Sequence, residues 1–329
     1  MKRLLKVGVW LLLGSVGMVK GQDYTYTTNW DNTITITGYI GPGGAVVIPD
    51  TINDLPVVSL AHNAFGEVAS LTSVTMGTNL VSLEYYAFYK CYNLASVTLG
   101  NNLINIGYGV FWDCSALKSL ALPQGLTSIG DWAFYHTGLT NLAIPDGVTS
   151  IPASMCYYCP QLRSVTFGAD VTSIGNDAFA YCYALTNLVI GAKVTSIGST
   201  AFQQCTSLGR IYFRGDAPGI GTDILLNSPA TLYCLPGKAD WVTPFGGATV
   251  VQWQPQICGT GGFGVGTNQF GFTINWASGV VTVVDVCTNL ITASWSPLQT
   301  NIPDEDISYF SDTNWVNYPN RYYRVTTTQ

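Results

Sequence analysis

The sequence predicts a repeat solenoid, mainly β with one short helical turn per coil, followed by a small all-β module. Three observations predict it. One phrase, seen as Val194-Thr-Ser-Ile-Gly-Ser-Thr-Ala-Phe202, returns along most of the chain with its apolar letters kept and its polar letters changed. Its aromatic slot recurs at Phe65, Phe88, Phe111, Phe134, Cys156, Phe179 and Phe202, 23 residues apart except for the step from Phe134 to Cys156, which is 22. A fixed period in the twenties marks a stack in which each unit buries its apolar face only against its neighbours. The composition agrees: 329 residues, 47% hydrophobic, 10% charged and 35 glycines describe a large, ordered, turn-rich protein and exclude a disordered one.

Each unit carries two apolar phrases. The first reads Leu94-Ala-Ser-Val97-Thr-Leu99 or Leu162-Arg-Ser-Val165-Thr-Phe167, and its alternation suits a half-buried strand. The second is the Val-Thr-Ser-Ile phrase, again alternating and β-branched. Corners such as Pro145-Asp-Gly147 supply turn chemistry between them. After Ile-Gly, the letters Ala178, Phe179, Cys182 and Leu185 fall at helix-like spacing, which predicts the short helical turn.

Leu-x-x-Leu-x-Leu followed by Val-Thr-x-Ile-Gly-x-x-Ala-Phe-x-x-Cys resembles the BspA-type leucine-rich repeat of bacterial surface proteins, over roughly residues 34 to 253. The resemblance implies a leucine-rich repeat solenoid and a surface or adhesion protein. It implies no ligand, because a fold does not carry one with it.

Taken in order, residues 1–21 read as a secretory signal peptide: Lys2, Arg3 and Lys6, an apolar run from Val7 to Val19, then Lys20-Gly21 before Gln22. An apolar run of about a dozen residues falls short of the roughly 20 that a spanning helix needs, so no transmembrane anchor is expected after cleavage. The formal net charge is −6, and removing the leader, which holds Lys2, Arg3, Lys6 and Lys20 and no acidic residue, makes it more negative. That charge argues against nucleic acid and anionic membranes as partners.

Residues 22–57 read as an N-terminal cap, 58–207 as the leucine-rich repeats, and 208–253 as a C-terminal cap. The C-terminal cap contains Gly215-Asp-Ala-Pro218 and Trp241 through Gly247, which resemble the terminal coil of the same family. The passage 254–267 reads as a Gly-rich linker. Residues 268–329, with strand-like Phe270–Trp276, Val280–Val286 and Tyr322–Val325, resemble a small β-module appended to many exported bacterial proteins.

Candidate chemistry is sparse. Nine cysteines in an exported chain suggest disulfides, but Cys91, Cys114, Cys159, Cys182 and Cys205 all stand three residues after the aromatic slot, as inward packing residues would. Cys156-Tyr-Tyr-Cys159 imitates a redox motif by register alone, since Cys156 replaces the repeat aromatic. His62 and His136 stand three repeats apart, about 14 Å at ladder spacing, and share no site. Asp304-Glu-Asp306 with Asp312 lacks the spacing of a calcium loop. No catalytic site, metal site or cofactor is therefore expected.

The remaining feature is an aromatic stripe. Tyr89, Trp112, Tyr135 and Tyr157 follow the aromatic slot in four consecutive coils, with Tyr85, Tyr86, Tyr92, Tyr108, Trp132, Tyr158, Tyr181 and Tyr183 nearby. Exposed, these rings form an amphipathic surface for a protein partner or for stacking on sugars; buried, they are packing over the corner. The strand faces, with Ser73, Thr75, Ser96, Thr98, Asn141, Ser164, Thr166 and Asn187, are ordinary solvated ladders. The expected function is a non-catalytic, exported binding or adhesion scaffold contacting protein or glycan on a surface. A carbohydrate-binding protein and a structural cell-envelope component are its alternatives.

Overall fold

Each coil contributes two short strands, and they form where the two apolar phrases stand. The structure is a computed structural model that describes residues 23–235, 237–252, 256–258, 264–266, 269–275, 281–289, 294–301, 307–317 and 321–327. The expected signal peptide and the acidic run 304–306 lie outside the described residues. The chain divides into two units, the first holding the coils to Gly209 with Pro218–Pro229 and the second holding Arg210–Ala217 with everything from Ala230 onward.

In the first unit, one strip pairs Gly44–Val47, Leu71–Thr75 and Ser96–Thr98 in parallel, and Asn141–Ala143 pairs with Ser164–Thr166. The other strip runs through Leu55–Leu60, Ser82–Leu83, Asn105–Ile106 and Ser128–Ile129. It resumes through Ser150–Ile151, Ser173–Ile174, Ser196–Ile197 and Gly219–Ile220. Pairing sets identical slots side by side, Leu83 against Ile106 and Ile151 against Ile174, so one inward residue per strand makes an apolar ladder. At the N-terminal end Tyr24–Thr28 pairs antiparallel with Ile34–Tyr39. A hairpin there gives the edge of a parallel strip a partner, which an exposed edge needs if it is not to recruit other strands.

The second strip is interrupted between Ser128–Ile129 and Ser150–Ile151, and the sequence says why. The residue after the strand, Glu84, Gly107, Gly130, Gly175, Gly198 or Gly221, donates its N–H to the preceding coil's Leu or Ile carbonyl at 2.7–2.9 Å. Glycine suits the slot because the backbones approach closely: a Cβ at Gly130 would lie 2.5 Å from the Tyr108 nitrogen. Pro152 holds this slot in the interrupted coil, with a ring and no N–H to give. The Asp131 carboxylate takes part of the load, accepting from the Ala153 N–H at 2.9 Å.

The core is a file of phenylalanines. Phe65, Phe88, Phe111 and Phe134 are fully buried and stack at 5.1, 5.5 and 6.0 Å, and Phe179 stacks on Phe202 at 5.9 Å. Cys156 breaks the file. In the same coil Phe167 stands eleven residues on, where the other coils put Met76, Leu99 or Ile190, and its ring packs edge-on to Phe179 at 5.8 Å. A small residue in the aromatic slot is thus accompanied by a larger one at a second, half-buried slot of the same coil.

The corner holding the aromatic slot is not the expected helical turn. The N–H of each slot residue crosses to the next coil, Phe88 to Val110 and Phe134 to Met155, at 2.8 or 2.9 Å throughout. Intervening N–H groups close turns three residues back, Ala87 to Glu84 and Tyr89 to Tyr86. Residues two before and two after the slot take left-handed φ values, 60° at Tyr86 and 55° at Lys90. The three-and-four spacing that reads as helix belongs equally to two successive turns, and bonding between coils decides for turns.

All eight described cysteines that carry a described side chain are free and buried. The thiols of Cys91, Cys114, Cys159, Cys182 and Cys205 each donate to the slot carbonyl one coil back, at 3.0–3.2 Å. Ser228, in the same position of its coil, does so with a hydroxyl at 2.6 Å to the Phe202 carbonyl. These bonds serve carbonyls that face inward, where an unmet acceptor is costly.

In the second unit, Arg210–Phe213, Thr231–Cys234 and Val250–Gln252 pair in parallel, and Trp241 packs on Phe213 at 4.8 Å and on Phe245 at 4.9 Å. Beyond them lie antiparallel strands. Gln269–Asn275 pairs with Ile307–Asp312, and Thr282–Cys287 is flanked by Ser296–Asn301 and Tyr322–Thr327. Phe272, Ile274, Val284 and Phe310 form the core, against which Leu235 packs. Two parts of the passage expected as a linker, Gln256–Cys258 and Gly264–Gly266, are strands paired with Gln269–Asn275. Glycine permits flexibility but does not impose it, and an available sheet edge gives these segments backbone partners. Asp312 is buried and bonded to Arg321 and Tyr323.

Candidate binding surface

The corner turns place aromatic rings in an unbroken layer across six coils. From His62 the contacts run to Tyr85 at 4.2 Å, Tyr85 to Tyr86, Tyr86 to Tyr89 and Tyr108, and Tyr89 to Trp112. They continue from Trp112 to Tyr135 at 4.3 Å, Tyr135 to Tyr157, and Tyr157 to Tyr181. Trp132 joins the layer at its middle, 5.0 Å from Trp112 and 5.4 Å from Tyr157. The layer passes over the interrupted coil, where the corner bonds remain continuous from Trp132 to Ala153 and from His136 to Tyr157.

The four residues singled out from sequence, Tyr89, Trp112, Tyr135 and Tyr157, are all half-buried. They touch in series but are not coplanar: Trp112 and Tyr135 are inclined by 40°, Tyr135 and Tyr157 by 21°. They form the body of the layer. Its outermost rings are Tyr85, Tyr108 and Tyr158, at 50, 39 and 38% exposure, and Tyr92 is exposed nearby in sequence at 45%. Spacing brought these neighbours to notice without ranking them, because which ring tops a turn depends on φ values that no sequence period displays.

Those φ values give the layer its sharpest feature. The left-handed positions hold Asn63, Gly109, Asp113, Asp177 and Asn227 in some coils, the residue types such backbone favours. Tyr86, Trp132, Tyr158 and Tyr181 occupy the same positions at φ 60°, 59°, 58° and 62°. Turn geometry does not select an aromatic there, so packing between rings holds these side chains in place.

Polar groups rim the layer. Asp113 pairs with His136, Lys90 lies 3.9 Å from Glu67 and 4.9 Å over the Tyr89 ring, and Asp177 accepts from Thr200. Burial and the neighbouring Tyr108 hydroxyl push the Tyr86 phenol up to about 12, and burial also raises those of Tyr135 and Tyr157. These phenols are therefore neutral hydrogen-bonding groups at any physiological pH.

Cys156 and Cys159 are both fully buried, out of reach of the second thiol that redox exchange requires. His62 lies on the Tyr85 ring, remote in the stack from the His136 pair. Among the described residues, no three His, Cys, Asp or Glu side chains are grouped to hold a metal, and no helix is long and apolar enough to cross a membrane.

Over residues 46–163 and 129–237, more than half of the chain, the sequence matches the BspA type leucine rich repeat region in six copies. It is similar in structure to a leucine rich cell surface protein from Faecalibacterium prausnitzii, at 34% identity and a TM-score of 0.55 over 61% of this chain. The chain spans 55% of that protein's length. It is also similar to a leucine rich repeat protein of T. pallidum, at 29% identity and a TM-score of 0.55, over 58% of this chain and 90% of the other. No curated protein matches the chain. The recurring Leu-x-x-Leu-x-Leu and Val-Thr-x-Ile-Gly-x-x-Ala-Phe phrases, the parallel strips they build and these likenesses agree, and the chain belongs to the BspA-type leucine-rich repeat family.

Proposed function

We propose that this protein is an exported, non-catalytic binding scaffold that works at a cell surface as an adhesion protein, using the aromatic corner as its contact face. The observation that carries the reading is the layer from Tyr85 to Tyr183, which is continuous, partly exposed and built in part on backbone positions that aromatics otherwise avoid. Residues Tyr89, Trp112, Tyr135 and Tyr157 form its body and Tyr85, Tyr108 and Tyr158 its outer rings. The leader-like residues 1–21 support export, and the likeness to a protein described as cell-surface supports the location.

Binding of the labelled chain to bacterial and epithelial cell surfaces, measured by flow cytometry, tests the reading. Saturable binding that falls at least about tenfold for a Tyr85→Ala/Tyr108→Ala double variant supports it. Binding that is absent, or the same for the variant, overturns it. N-terminal sequencing of the chain recovered outside the cell tests export, with Gln22 as the expected first residue.

A further inference from the structure

Resting on the corner as the contact face, we infer that its ligand is a neutral, hydroxyl-rich polysaccharide lying along the coils. Three observations converge on that chemistry. The outermost groups are tyrosine rings, Tyr85, Tyr92, Tyr108 and Tyr158, each offering an apolar face beside a hydroxyl. A pyranose has the same dual character, with C–H groups on one face and hydroxyls around its rim, so ring stacking and hydrogen bonding are satisfied together.

The second observation is the sign of that charge. Glu67, Glu84, Asp113, Asp131 and Asp177 stand at or beside the corner against Lys90 and His136. Carboxylates accept strongly from sugar hydroxyls but repel uronates, sulfates and phosphates. The surface therefore favours a neutral polymer and discriminates against an anionic one.

The third is spacing and preparation. Neighbouring coils repeat at about 4.8 Å, the separation of paired strands and close to the length of one pyranose ring. Ring centres on adjacent coils stand 5.3 Å apart for Tyr86 and Tyr108 and 5.1 Å for His136 and Tyr158. A polymer running along the stack would meet outer rings on three coils, Tyr85 and Tyr92 on one, Tyr108 on the next and Tyr158 two coils further on. The rings are already wedged against one another, so binding would freeze little side-chain freedom.

Native affinity electrophoresis of the full chain tests this, in gels containing glucomannan, mixed-linkage β-glucan, xyloglucan, galactan or starch, with polygalacturonate as the anionic counterpart. The expected result is retardation by at least one neutral polymer and none by polygalacturonate. Tyr85→Ala and Tyr108→Ala should each weaken the apparent affinity about tenfold, and Tyr85→Phe, which keeps the ring, should largely retain it. Tyr158→Asn guards against a folding artefact. Asn227 occupies the same left-handed position at φ 59°, so this change removes a ring while suiting the backbone. It should keep the thermal midpoint and still weaken retardation. Mobility unchanged in every neutral gel, retardation insensitive to these variants, or equal retardation by polygalacturonate would overturn the inference. If cell binding is lost in the Tyr85→Ala/Tyr108→Ala variant while no neutral polymer binds, the corner remains the contact face and its ligand is a protein.

Discussion

Pro152 stands one coil on from Ile129, in the slot whose N–H elsewhere bonds the preceding coil's strand carbonyl, so the ladder from Gly130 to Ile106 has no counterpart from Pro152 to Ile129. The strip therefore has a seam that the corner bonds and the aromatic layer cross. Native-state hydrogen exchange should find the amides of Thr149–Ile151 less protected than those of Thr172–Ile174, whose strand is paired with the preceding coil. Equal protection of the two segments would show the seam to be closed in solution.

The thiol-to-carbonyl ladder makes a prediction about substitution chemistry. Cys182→Ala removes the donor to the buried Cys156 carbonyl and leaves a small void, and should cost about 1–3 kcal/mol. Cys182→Ser should cost less, because Ser228 shows that a hydroxyl in this position reaches the same carbonyl. Urea midpoints of the two variants, compared at fixed slope, decide it; a serine variant weaker than the alanine one would contradict the bonding role.

Alkaline stability follows from the same residues. Burial pushes the thiols of Cys91 and Cys205 from the ordinary value of 9.0 up to about 12. Below pH about 9 both folded and unfolded chains keep these protons, and stability is at its full value. Between about 9 and about 12 only the unfolded chain releases them, so stability falls as pH rises. Tyr86, pushed from 10.0 to about 12, acts in the same direction in the upper part of that window. Thermal midpoints should decline steadily across it, and a thiol reagent should modify these cysteines only after denaturation. A flat profile or rapid labelling of the native chain would show that the thiols are accessible.

The exchange of sizes between Cys156 and Phe167 predicts coupling. Cys156→Phe alone should overpack the file between Phe134 and Phe179 and destabilise by about 1–3 kcal/mol. Adding Phe167→Leu, the residue type of the equivalent Leu99, should recover most of that loss. A double-mutant cycle measured by chemical denaturation gives the interaction directly, and additivity within about 0.5 kcal/mol would mean that the two positions are independent.

Much of this was legible because a solenoid writes its architecture in one dimension. The period gave the coil, the alternation gave the strands, and the position of Cys114 or Cys205 three residues after a phenylalanine already marked it as inward. The missing residue between Phe134 and Cys156 was visible as a count. That Pro152 opens a strand pairing was not, because its consequence depends on which carbonyl lies opposite. Likewise Tyr89, Trp112, Tyr135 and Tyr157 were found by register, while the greater exposure of Tyr85 and Tyr108 was not.

The sequence by itself determined that the chain stacks, which residues face inward and that aromatics gather at one corner, since each is a property of a repeating local pattern. Only the tertiary structure decided that the corner is built of turns, that parts of the Gly-rich passage become strands, and which rings reach the surface. Bonds between neighbouring coils decide the corner turns, and pairing with Gln269–Asn275 decides the Gly-rich strands, partners that local propensity does not name.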